Sequence, residues 1–133
     1  MLNQYDNRAA AQSRVDAMRE AYSKANRVKG FTIAITAGTS SYNVDLSGMA
    51  KCFLGFGYFF QATPGAAVTT QLVINNDVVV DSTVINHFRV DGTNQPRDFY
   101  AFPRPLNGQD TIVFNFNNTT GATVTGYLAV YYI

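Results

Sequence analysis

The feature that most constrains the fold is a change of hydrophobic period at Gly30. Ahead of it, residues 3–29 are polar and rich in helix formers, with Val15, Met18, Tyr22 and Ala25 at 3-4-3 spacing. That spacing predicts one amphipathic helix. Asn3 or Asp6 would cap it, and Gly30 would stop it with Lys24, Arg27 and Lys29 complementing the helix dipole. A lone helix of this length is marginal in water, so its stripe is expected to dock, on its own β-domain or on another subunit. Beyond Gly30 the period is two. Phe31, Ile33 and Ile35 alternate with Thr32, Ala34 and Thr36, then Tyr42, Val44 and Leu46 with Asn43 and Asp45. Such alternation is half-buried strand.

The rest continues in strands and turns. Residues 51–62 predict a long third strand, in which Gly55 and Gly57 mark a bulge, a bend or close backbone approach. Val68–Ile74 predicts a fourth, Asn75-Asn76-Asp77 a tight hairpin, and Val78 onward the return. Residues 83–90 read as a further strand or a loop with strand ends, and 91–96 as a loop. Phe99, Tyr100 and Phe102, closed by Pro103 and Pro105, predict an edge strand or strand end. Ile112, Phe114 and Phe116 share one strand face. The apolar closing run, Val124 to Tyr132, is expected to pair inside a sheet. The count is about eight short antiparallel strands with a turn signal about every ten residues. The predicted fold is all-β, a jelly-roll type sandwich or barrel over residues 31–133 preceded by an N-terminal α-helical arm over 1–30. The same spacing fits an immunoglobulin-like sandwich. Parallel α/β folds are disfavoured, because no helical stretch separates the strands.

Charge is sparse and uneven. Charged residues make up 14% of the 133, against roughly 25% in average soluble domains. In residues 1–30, six cations (Arg8, Arg14, Arg19, Lys24, Arg27, Lys29) face three acids (Asp6, Asp16, Glu20), while 31–133 hold four cations and six aspartates. A basic arm on a mildly acidic domain suits nucleic acid, an anionic lipid surface or an acidic neighbour. It also suits a plain solvated face. The single Cys52 excludes an intrachain disulfide and a multi-cysteine zinc site, and its apolar setting reads as a buried, inert thiol. The N-terminus lacks the apolar stretch of a secretion signal, which predicts synthesis in a cytoplasm. On that reading the sequons at Asn117 and Asn118 are chance matches in a turn.

Little here reads as catalysis. His87 is the only histidine; Asp81 and Ser82 lie near it in sequence, but no nucleophile-elbow pattern surrounds any serine. The aspartates lie mostly beside turns, which explains them; Asp91 and Asp98 would be the first suspects for paired carboxylates. Gly55-Phe56-Gly57 interrupts a strand and is no phosphate cradle. No catalytic, cofactor or metal residue is assigned. Aromatic residues around 58–60 and 127–132 fit a stacking platform for sugars or bases, or a subunit interface. The interface is preferred, with Tyr58, Phe60, Tyr127 and Tyr131 as its candidates. The candidate arm contacts are Arg8, Arg14, Val15, Met18, Arg19 and Tyr22.

The arm 1–30, the break at Gly30, the eight or so short strands from Phe31 and the aromatic closing strand Gly126-Tyr127-Leu128-Ala129-Val130-Tyr131-Tyr132-Ile133 resemble a family plan. The chain is similar to the penton and minor capsid proteins of tailless, membrane-containing bacteriophages and their relatives. The resemblance implies a non-enzymatic jelly roll of the virion that closes into a ring, often a pentamer at an icosahedral vertex. It implies an arm that reaches the major capsid protein or other virion proteins, or the shell interior with its membrane or genome. It carries over no catalytic residue and no cofactor. One rival reading is a carbohydrate- or receptor-binding β-sandwich, as in a decoration or spike protein. Another is a hydrolase on a β-scaffold, using His87 or Asp98.

Overall fold

The structure is a computed structural model that describes residues 12, 27–46, 48, 50–62, 64–89 and 100–133. Among the described residues are eight strands: β1 (Arg27–Ile35), β2 (Gly38–Val44), β3 (Cys52–Phe59), β4 (Val68–Ile74), β5 (Asp77–Val84), β6 (Tyr100–Pro105), β7 (Ile112–Asn118) and β8 (Val124–Tyr132). Single 3-10 turns occur at Gly65–Ala67 and Ile85–Phe88. The strands form two four-stranded antiparallel sheets. Sheet I has the order β1-β8-β3-β6 and sheet II the order β2-β7-β4-β5. The pairings nest. β4 pairs with β5, β3 with β6, β2 with β7 and β1 with β8, and successive pairs fall in opposite sheets. Contacts of β3 with β8 and of β4 with β7 complete each sheet.

Local chemistry accounts for several of these elements. Asn75 and Asn76 both have positive φ, 51° and 64°, which is the backbone of a two-residue hairpin matched to strand twist. Asn75 is further held by a 2.9 Å bond from its amide N–H to the Thr111 carbonyl. β6 contains Pro103 and Pro105 and pairs with β3 alone, at the edge of sheet I, where a missing N–H costs no ladder bond. The register of β3 slips between Phe53 and Gly55 against both of its neighbours, a bulge at the glycine-rich stretch.

The expected helix end is corrected. Arg27, Val28, Lys29 and Gly30 are the first residues of β1, and Gly30 sits opposite Ala129 instead of closing a helix. The apolar strand β8 offers a partner over nine residues, and pairing satisfies the β1 backbone groups that a helix end would leave open. Lys29, expected to complement a helix dipole, donates to the Asp45 carbonyl at 3.2 Å and lies over the Phe31 ring. Of the remainder of the expected helix, Gln12 alone is described, and it is helical; Arg8, Arg14, Val15, Met18, Arg19 and Tyr22 lie outside the described residues, as do Asp91 and Asp98.

The core lies between the sheets and is aromatic at its centre. Phe56 meets Phe114 edge-on at 5.2 Å and stacks on Phe102 at 5.7 Å; Tyr58 packs on Phe60, Phe114 and Phe116. A polar bond crosses the centre of this core. The Tyr58 phenol of sheet I and the Thr70 hydroxyl of sheet II lie 2.9 Å apart, both buried. Burial pushes the phenol pKa far above its usual range, and the Thr70 bond offsets only part of that. At one side of the sandwich Arg104 of β6 pairs with Asp77 of β5 at 3.0 Å. Both side chains are largely exposed, so this pair contributes little to stability.

Candidate functional site

The aromatic candidates divide by strand face. Tyr58 and Phe60, expected at a subunit interface, belong to the core, with relative exposures of 0% and 1%. This corrects the expectation. The bulge between Phe53 and Gly55 resets the alternation of β3, so Phe56, Tyr58 and Phe60 point inward and Phe59 points out. On β8, Leu128 and Val130 are buried while Tyr127 and Tyr131 occupy the outer positions. Tyr127 is 47% exposed, Phe59 45% and Val28 58%.

These residues form one surface, the outer face of sheet I. Pairing sets Thr32, Tyr127 and Phe59 in one row across β1, β8 and β3. Gly30, Ala129 and Gly57 form the next row, and Val28, Tyr131 and Gly55 the third. The middle row carries nothing larger than a methyl group; Gly30 in it is exposed and Ala129 half-buried, while Gly57, like Gly55 in the next row, is buried. The Tyr127 phenol leans over Gly30; a Cβ at Gly30 would overlap its hydroxyl. No outward position of β1, β8 or β3 carries a charge (28, 30, 32, 34; 125, 127, 129, 131; 55, 57, 59). Partial burial raises the Tyr131 pKa, so the phenol stays neutral at physiological pH.

The outer face of sheet II has different chemistry. Four side chains form a hydrogen-bonded ladder across all four strands. Ser41 Oγ donates to Asn115 Oδ1 at 2.7 Å, Asn115 Nδ2 to Gln71 Oε1 at 3.0 Å, and Gln71 Nε2 to Asp81 Oδ1 at 3.1 Å. Every donor in this chain points toward the Asp81 carboxylate. On one side of the ladder lies a row of Thr39, Asn117 and Thr69; on the other lie Val113, Val73 and Val78. Ser41, Asn115 and Gln71 of the ladder and the hydroxyl–amide row line a trough of about 310 Å³ that also takes in Ser40, Thr70, Ser82 and Phe116; Asp81, at the ladder's end, lies outside its wall. β5 bulges here. Asp81 and Ser82 together oppose Gln71, and Ser82 has φ +34°, a strained value for a non-glycine residue. The sequence singles out only Asp81 and Ser82, as neighbours of His87, and Asn117, in a sequon; nothing local joins them to Ser41, Gln71 and Asn115.

The remaining candidates have structural work. His87 is exposed in the turn Ile85–Phe88 and meets Phe88 edge-on at 5.0 Å. It shares a shallow hollow with Asp81, but the Asp81 carboxylate is engaged by Gln71. Cys52 is half-buried, its Sγ donates to the Phe53 carbonyl at 3.4 Å, and burial raises its pKa, which disfavours the reactive thiolate. Asn118 is buried and clamps the turn before β8, with its amide on the Ile35 and Ala122 carbonyls and its Oδ1 taking Thr120 N–H and O–H. Asp110 accepts from Asn75 Nδ2 and from the amides of Asn107 and Gly108; these bonds, the Asn75 one foremost, lower its pKa. Among the described residues no group of three or more His, Cys, Asp or Glu side chains is placed to hold a metal ion.

No protein-family model matches the chain, and the search of curated proteins returns no match.

Proposed function

We propose that this chain is a structural subunit of a virus particle, a penton or minor capsid protein whose β-domain associates with sister copies through the outer face of sheet I. The observation that carries the reading is the chemistry of that face: no charge at any outward position of three adjacent strands, with Val28, Phe59 and Tyr127 about half exposed. Depletion of charge with enrichment of Tyr and Phe is the composition of interface centres. A closed ring needs a head-to-tail contact, so this face would meet a different patch of the next copy.

The topology supports a jelly roll as the fold of this subunit. Strands nested as 4/5, 3/6, 2/7 and 1/8 and rolled into two sheets make the two interlocked Greek keys of that architecture. The residues ahead of β1 would make the link to neighbouring capsid proteins. With Arg27 and Lys29 in β1, that segment keeps Arg8, Arg14, Arg19 and Lys24 against Asp6, Asp16 and Glu20, one net positive charge. So small an excess favours protein neighbours over genome or membrane as its partner.

Light scattering on the full chain tests the reading. A discrete oligomer is expected, reduced to monomer by Phe59→Lys or Tyr127→Lys with the fold retained by circular dichroism. A full-length protein that stays monomeric at high concentration, or an oligomer indifferent to both substitutions, would refute it.

A further inference from the structure

The geometry points to a second site, independent of assembly: we propose that the trough on the outer face of sheet II binds a neutral glycan. Its volume of about 310 Å³ is that of a small ligand pocket. Three interstrand spacings make it about 14 Å across, enough for an oligosaccharide of a few units. A sugar hydroxyl both donates and accepts, so a site for it must offer both kinds of group. The ladder does. Asn115 and Gln71 each use one N–H and one lone pair internally, which leaves one of each for a ligand. The side chains of Thr39, Thr69 and Asn117 make no hydrogen bond among the described residues and stand beside the ladder.

Three further observations select the ligand class. No cation lines the trough and one carboxylate ends the ladder, so phosphates, nucleic acids and acidic sugars are repelled. The aliphatic row of Val113, Val73 and the half-exposed Val78 runs alongside, where the C–H face of a pyranose can rest. Ser82 keeps its strained backbone in the bulge that sets Asp81 against Gln71, and such strain persists where the surroundings require it. A ladder that merely stiffened the sheet would require neither the carboxylate at its end nor an unpaired row beside it.

The test is binding of the fluorescently labelled full chain to immobilised neutral oligosaccharides (gluco-, galacto- and manno-series), with sialylated and sulfated chains as the counter-panel. Binding to neutral members alone is expected. Asn117→Ala and Thr69→Val should each weaken it about tenfold, as loss of one good hydrogen bond does. Asn117 and Thr69 lie outside the ladder, so their variants should keep the parent melting midpoint. Absence of binding across the neutral series, preference for the acidic series, or binding unchanged in these variants would overturn the proposal. Light scattering on the same samples reports assembly separately, so failure of one reading is not failure of the other.

Discussion

Removing the Tyr58 hydroxyl would leave the Thr70 hydroxyl stranded between the sheets. Thr70 is 1% exposed, and β4 is paired on both sides there, with Thr83 and Phe116 opposite, so ladder bonding already occupies the nearby backbone. Tyr58→Phe should therefore cost about 1–3 kcal/mol, the penalty for an unsatisfied buried hydroxyl. Thr70→Val, nearly isosteric, strands the phenol instead and should cost a similar amount. The ring itself is held by Phe60, Phe114 and Phe116, so loss of one oxygen leaves the packing in place. The double variant removes both polar groups and should be nearly neutral. A double-mutant cycle by urea denaturation reads this directly. With a denaturant slope of about 2 kcal/mol per molar, each single variant lowers the midpoint by about 0.5–1.5 M while the double stays near the parent. Single variants that cost nothing, or a double variant as damaged as the sum of the singles, would refute the claim that this bond matters through the penalty for breaking it.

Two other expectations follow from the packing and the ionisation of the same region. Gly126→Ala should destabilise by about 1–3 kcal/mol through overpacking, because a Cβ there would meet the buried Phe60 ring at 2.4 Å; Gly30→Ala needs only to displace the exposed Tyr127 phenol and should shift the thermal midpoint far less. Alkali should also destabilise the fold: Tyr58 stays protonated when folded but ionises near pH 10 once unfolded, so its contribution is complete below that pH and is lost above it, by up to about 1.4 kcal/mol per pH unit. Urea midpoints across that range should fall less steeply for Tyr58→Phe than for the parent, and equal slopes would exclude Tyr58 as the source.

Much of this fold follows from local pattern. Alternation in β1, β4, β7 and β8, the Asn75-Asn76 turn, the edge position of a proline-bearing β6 and an irregularity at Gly55 are properties of a few consecutive residues, and each is legible without a partner strand. Gly30 shows where local reading fails. In isolation it is a helix stop, but beside β8 it is the bare position over which Tyr127 lies. Tyr58 and Phe60 fail for a related reason. One extra residue in a bulge exchanges the two faces of a strand, and composition does not say on which side of the bulge the count restarts.

The candidate sites lay further from sequence reach. Ser41 and Asn115 are 74 residues apart, Gln71 and Asn115 are 44 apart, and each alone is an ordinary polar strand residue. Only the sheet order β2-β7-β4-β5 sets them in one row, just as β1-β8-β3 gathers Val28, Phe59 and Tyr127 on one face. The amino-acid order by itself determined that the chain beyond Gly30 would be built from short strands, because a period of two is a local steric and hydrophobic property. Tertiary structure decided which strands are neighbours and which faces look outward, because backbone pairing between distant segments and a shared aromatic core are chosen together.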